Sequence, residues 1–180
     1  MKPSIENYLV ISAIAKQHSV AFDALTETCT QTGCNIDNIR MTLMGEEIGM
    51  ILLLSGSWGS IAKLEAALPG LEAKLPIQLM IKRTTSFETN QKSMPYAVQI
   101  SGLDKPGILY DLISFFSQNN ISIIDIQTET HYVERCLSKI CTLHFSIMIA
   151  ESEHISQLRD KFLIYCEDRN LDAILDPLKF

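Results

Sequence analysis

What the chain has little of narrows its function first. Lysine and arginine number 15 against 21 aspartates and glutamates, a net charge of −6 with a pI near 5.2. An acidic surface offers no positive field to hold a phosphate backbone, which argues against direct nucleic-acid binding and toward a protein or small-molecule partner. Long apolar runs are missing too: Met50, Ile51, Leu52, Leu53 and Leu54 in a row fall far short of the roughly 20 residues that span a bilayer. The opening residues, Met1-Lys2-Pro3-Ser4-Ile5-Glu6-Asn7, hold no apolar signal core and no small-residue cleavage site, so a cytoplasmic location without membrane contact is expected.

Catalytic and metal-binding patterns are equally scarce. The histidines, His18, His131, His144 and His154, are scattered and show no H-x-x-x-H or H-E-x-x-H spacing. The five cysteines, Cys29, Cys34, Cys136, Cys141 and Cys166, are odd in number and lack C-x-x-C spacing, so they read as reduced thiols rather than disulfides or metal ligands. Gly56-Ser57-Trp58-Gly59 departs from the G-x-S-x-G nucleophile pattern, and Ser57 reads as a helix cap. Neighbours along a strand point to opposite faces, so Glu46 and Glu47 make a poor acid–base pair. No catalytic residue, metal or cofactor is expected, and the chain reads as a non-enzyme.

What is there is an order of elements that occurs twice. Residues 8–14 form a short apolar stretch rich in β formers, followed by a polar loop at 15–19. Ala21, Phe22, Leu25, Thr28 and Cys29 then recur at helical spacing up to Gly33, a left-handed cap. Strands over 35–43 and 47–55 are joined by a turn at Met44-Gly45-Glu46. Ser57 or Ser60 caps a helix with Ile61, Leu64 and Leu68 on one face; Pro69-Gly70 is expected to stop it before a strand at 77–81.

The polar, aperiodic run at 82–95 suits a linker. A strand at 96–101 follows it, then a tight loop, a helix marked by Ile108, Leu109, Leu112, Ile113 and Phe116, and a strand at 121–127. Cys141, Leu143, Phe145, Ile147 and Ile149 alternate along the next strand. Ser152 caps a helix bearing Ile155, Leu158, Phe162 and Tyr165, and residues 172–175 close the series. Sliding the chain on itself by 87 or 88 residues superposes the two halves. The fold class is therefore α+β: two ferredoxin-like βαββαβ modules, 1–84 and 95–180 joined by a linker at 85–94, each a four-stranded antiparallel sheet with two helices on one face. In the first module strands one and three are apolar on both faces, which predicts module or subunit packing and a homo-oligomer.

The segment Gly102-Leu103-Asp104-Lys105-Pro106-Gly107 sets a restricted turn on the amino end of a helix. The free N–H groups of that first helical turn can hold a carboxylate without a basic side chain. The same spacing is met by a plain strand-to-helix turn with Asp104 as its cap. Nucleotide binding is rejected, because Ile108 stands where a phosphate-binding loop needs lysine.

Asp104-Lys105-Pro106-Gly107-Ile108-Leu109 resembles the signature of ACT domains, ligand-sensing modules of amino-acid metabolism. Gly33-Cys34-Asn35-Ile36, Met44-Gly45-Glu46-Glu47, Leu53-Leu54-Ser55-Gly56-Ser57-Trp58 and Lys82-Arg83-Thr84 resemble the glycine cleavage system transcriptional repressor family, whose members are tandem ACT proteins. The resemblance implies an amino-acid-responsive accessory repressor that acts through a DNA-binding activator, with glycine as effector. It implies a ligand site at Asp104, Lys105, Pro106, Gly107, Ile108 and Leu109, lined by Ser122, Ile123 and Asp125. The first module's loop, Ala15-Lys16-Gln17-His18-Ser19-Val20, lacks proline and glycine, although Asn35 matches an asparagine common in the family and otherwise reads as a turn residue bonding its own backbone.

Trp58 reads as an anchor of the second helix on the sheet or as a plug for a partner's pocket, and residues 132–139 as a hairpin loop that contacts a partner or moves freely. An acylphosphatase-like enzyme lacks its arginine in the first loop, and an RNA-recognition motif lacks its stacking aromatics and basic field. A tandem ACT regulator that senses another amino acid and controls a metabolic enzyme stays open.

Overall fold

The computed structural model describes residues 7–16, 20–85, 93–133, 138–151 and 154–178. The chain divides into two compact units, Met1–Glu88 and Thr89–Phe180. The first contains strand β1 (Asn7–Lys16), helix α1 (Ala21–Gln31), strands β2 (Asn35–Met44) and β3 (Glu47–Gly56), helix α2 (Trp58–Lys74) and strand β4 (Ile77–Thr84). Its sheet runs β2-β3-β1-β4, with all neighbours antiparallel. Alternation along β1 sends Leu9, Ile11, Ala13 and Ala15 to one face, where Met50, Leu52 and Leu54 of β3 join them. Phe22, Leu25 and Cys29 of α1 and Ile61, Leu64 and Leu68 of α2 close that face into one core. Each fully buried aliphatic side chain there contributes about 1.5–3 kcal/mol.

The second unit repeats this plan with β5 (Ser93–Leu103), α3 (Ile108–Gln118), β6 (Ser122–Val133), β7 (Ser138–Ala150), α4 (Ile155–Glu167) and β8 (Leu171–Pro177). Its sheet order is β6-β7-β5-β8. Cys141, Leu143, Phe145, Ile147 and Ile149 of β7 pack with Val98 and Ile100 of β5 beneath Phe116 and Phe162, whose rings stack at 5.4 Å. Register decides the repeat offset that identities leave open. Leu9 matches Tyr96, since they face Leu54 and Ile147, and Asn35 matches Ser122: an offset of 87. After the longer second hairpin the offset widens, with Ile61 matching Ile155 and Ile77 matching Leu171. A β-bulge recurs at the same place, at Asp37 in β2 and Ile124 in β6.

Several expectations are corrected. Pro69-Gly70 does not end α2, which runs on to Lys74. An interior proline removes the N–H that would reach the Glu65 carbonyl, at a cost of about 3 kcal/mol. Helix continuation is favoured because Leu71 and Leu75, beyond the proline, pack on the core. Ala15 and Lys16 belong to β1 rather than to a loop, because Ala15 pairs with Ile48 and Ile77 and is buried. Ser57 does cap α2, its Oγ accepting from Ser60 N–H at 3.1 Å. Trp58, the first residue of that helix, is 66% exposed and so does not anchor it to the sheet. The expected loop at 17–19, most of the linker, the Ser152 cap and residues 134–137 of the second hairpin lie outside the described residues.

The two helix-free sheet faces differ. In the first unit Ile14, Ile51 and Met80 stand exposed there; in the second the corresponding face carries Gln99, His144, Asp172 and Asp176 beside the exposed Ile174. Cys29, Cys34, Cys141 and Cys166 are free and buried. Burial pushes the Cys29 and Cys166 thiols up to about 11, with Cys34 adding to the rise at Cys29.

Three outcomes follow from this packing. Pro69→Ala should raise the unfolding free energy by about 1–3 kcal/mol in urea denaturation, by restoring a helix hydrogen bond. Gly102→Ala should lower it by about 1–3 kcal/mol, because a Cβ there would lie 2.5 Å from Leu171 Cδ2 and 3.3 Å from the Asn170 carbonyl. At pH 8 Cys29 and Cys166 should react with a thiol reagent about 100-fold more slowly than free cysteine, and promptly in urea, as mass spectrometry of labelled peptides would show.

Candidate functional site

The glycine-proline loop leaves the end of β5 and enters α3. Gly102 is its last tightly packed residue: it sits against Leu171 of β8, which explains that glycine by packing rather than by ligand approach. Asp104 N–H donates to the Lys139 carbonyl at 2.8 Å, pinning the loop to the start of β7. Asp104, Lys105, Pro106 and Gly107 are all exposed.

The cap of α3 is Gly107 rather than Asp104. Gly107 has φ 96°, a left-handed conformation that favours glycine, and no side chain bonds to the helix start. Its carbonyl accepts from Asp111 N–H at 2.9 Å, while Ile108 N–H reaches the Lys105 carbonyl at 3.4 Å. No heavy atom lies within 4 Å of where a Gly107 Cβ would be, so the space beside the helix start is open. The N–H groups of Leu109 and Tyr110 precede the first helical bond and face a positive dipole end, and among the described residues no acceptor takes them. Chemically, this is a small open cradle for an anionic group. Beneath it, burial first and the nearby Asp104 carboxylate second push the Cys141 thiol above its ordinary range.

Ser122, Ile123 and Asp125 are not brought to this loop within the unit. Ser122 pairs with Met148, whereas Leu103, beside the loop, pairs with Ile140. Eight strand residues separate those two rungs of β7, about 25 Å at the rise of a β-strand. The reason is topological: α3 carries the chain back to the far end of the sheet before β6 begins. A ligand held at the loop therefore does not touch both groups within the unit.

Asn35 occupies the corresponding far end of the first sheet. Its Nδ2 donates to Asp37 Oδ1 at 2.6 Å, and Ser55 Oγ, on the buried Ser55, donates to the same oxygen at 2.9 Å. Asn35 therefore bonds a neighbouring carboxylate rather than its own backbone, and secures the bulge at Asp37. Gly33 (φ 81°), Gly56 and Ser60 meet in this corner, since a Cβ on either glycine would approach Ser60 to 3.3 Å.

Sequence reasoning missed that Tyr165 of α4 and Arg169 just past it meet Asp111 at the start of α3. Tyr165 Oη donates to the Asp111 carbonyl at 2.9 Å. Arg169 lies over the Tyr165 ring at 3.6 Å and places Nε 3.7 Å from Asp111 Oδ2. The only signal along the chain was the four-residue spacing of Tyr165 and Arg169; their meeting with Asp111 depends on helix packing. Burial, the largest cause, pushes the Tyr165 phenol above its ordinary range.

Among the described residues no helix is long and apolar enough to cross a membrane, and no group of His, Cys, Asp and Glu has metal-site geometry. Comparison with known proteins matches ACT-domain models to residues 7–82 and to residues 90–163. The chain is 26% identical over 182 residues to the glycine cleavage system transcriptional repressor of Escherichia coli (strain K12), covering 100% of this chain and 95% of the relative, with the same figures for the Shigella flexneri protein. A crystal structure provisionally named a glycine cleavage system transcriptional repressor matches with TM-score 0.74 and 24% identity over 98% of this chain and 100% of that one. A protein of unknown function from Galdieria sulphuraria matches with TM-score 0.76 and 17% identity over 97% and 99%. These solved structures share the fold, and with two matched domains spanning most of its length the chain belongs to the ACT-domain family as a tandem ACT protein.

Proposed function

We propose that the chain is an accessory transcriptional repressor of the glycine cleavage system, which senses glycine and acts through a DNA-binding activator. The observation that carries this reading is the similarity to the Escherichia coli repressor along the whole of this chain. Two ACT domains support the broader role, amino-acid-sensing regulation rather than catalysis. The acidic charge agrees with contact to a protein and not to the operator. The reading needs no cofactor and sets the protein in the cytoplasm as a homo-oligomer, whose contacts the exposed Ile14, Ile51 and Met80 suit.

Glycine binds, in this reading, with its carboxylate on the amides that follow Gly107, while Asp104, Lys105, Pro106, Ile108 and Leu109 shape the cradle. Ser122, Ile123 and Asp125 contribute in this reading only from a second copy of the chain, because they lie at the far end of their own sheet, as Asn35 does in the first.

Calorimetry with the full chain against a panel of amino acids should give saturable heat with glycine. Gly107→Ala should weaken that binding at least about fivefold, with a stability loss of about 1–2 kcal/mol from forcing a side chain into the left-handed region. Heat with a different amino acid alone would replace the effector, and no heat with any would overturn sensing. Capture from native lysate should retain a DNA-binding protein; retention of a metabolic enzyme instead would favour the enzyme-controlling alternative.

A further inference from the structure

The first turn of α3 holds a charge that works against an anionic ligand. Asp111, half-buried, lies four residues beyond Gly107 and is the one acidic residue in that turn. A carboxylate there competes for the same positive helix end that a ligand carboxylate would use, and repels it. Two like charges several Å apart near a protein surface repel enough to change affinity by about tenfold.

Arg169 comes to this charge from another element, just past α4. Its Nε lies 3.7 Å from Asp111 Oδ2, its guanidinium stacks 3.6 Å above the Tyr165 ring, and its Nη1 donates to the Tyr165 carbonyl at 3.2 Å. Tyr165 in turn donates its hydroxyl to the Asp111 carbonyl at 2.9 Å. The guanidinium is thus held from three sides at one place, where its charge offsets that of Asp111 without blocking the exposed loop at 104–107. Asp111 and Arg169 remain 47% and 38% exposed, so their ion pair adds little to stability and its effect belongs to the local field.

We infer that Arg169 is a positioning residue of the effector loop: fixed by Tyr165, it neutralises Asp111 and so keeps the α3 amino end attractive to the carboxylate of a small amino acid. This rests on the proposed binding at residues 104–109. The equivalent helix start in the first unit, Ala21 to Ala24, carries Asp23 and no arginine from α2 reaches it among the described residues, so the device belongs to the second unit.

The test is amide NMR of the full chain, following Gly107, Ile108, Leu109 and Tyr110 during titration with glycine and, separately, with acetate. Arg169→Gln should weaken both ligands about five- to tenfold while the protein stays folded, its unfolding midpoint lowered only slightly by loss of the Tyr165 stack. Arg169→Lys, which keeps the charge, should bind within about twofold of the unaltered protein, and adding Asp111→Asn to Arg169→Gln should restore affinity. Unchanged binding in Arg169→Gln, or no restoration by Asp111→Asn, overturns the role of Arg169 and leaves the loop as the site. Absence of any amide shift in the unaltered protein overturns the site and this role together.

Discussion

In each unit the central strand pair, β1 with β3 and β5 with β7, is antiparallel along its whole length, and that register sends one alternating set of side chains toward the helices. Leu9, Ile11, Leu52 and Leu54 in one unit, and Val98, Ile100, Phe145 and Ile147 in the other, are all but inaccessible to water. A slip by one residue would turn every one of them to the opposite face, so the register is held by the whole core at once. The two helices can cover only the face so chosen, and the positions of every loop follow from it.

The candidate site is a consequence of that arrangement. Because the helix after the first strand runs back down the sheet, the loop entering it and the strand leaving it lie at opposite ends. Gly107 and its open first turn stand at one end of the second sheet, while Ser122 and the bulge at Ile124 stand at the other. The two groups of candidate site residues in the second module are therefore held at opposite ends of its sheet. The same geometry brings the end of α4 beside the start of α3, so that Tyr165 and Arg169 meet Asp111, more than fifty residues earlier.

The two units have diverged along different lines on the same frame. The second keeps the left-handed glycine and the open helix start. The first caps α1 at Val20 with no side-chain bond, and two of its family-like segments, 33–36 and 53–58, meet in the corner where Asn35, Asp37, Ser55, Gly56 and Ser60 interlock, while Met44-Gly45-Glu46-Glu47 forms the turn at the other end of β2 and β3. Local packing thus accounts for the resemblance at Gly33 to Ile36 and Leu53 to Gly56. Trp58, Met44-Gly45-Glu46 and Lys82-Arg83-Thr84 belong to the family-like segments yet are exposed.

Periodicity alone determined the order of elements, the buried faces and the duplicated plan, because alternation on strands and three-to-four spacing on helices are local properties that survive in any chain order. The loop at 104–109 was legible for a similar reason, since proline and glycine restrict the backbone wherever they stand. Tertiary structure decided the rest. Pro69 lies inside a helix because Leu71 and Leu75 find the core beyond it, and Gly102 is a packing glycine because Leu171 arrives from the far end of the chain. Ser122, Ile123 and Asp125 part from the loop because of the crossover, and Arg169 meets Asp111 because two helices share one sheet face. Each of these depends on contacts between residues distant in sequence, which no local pattern encodes.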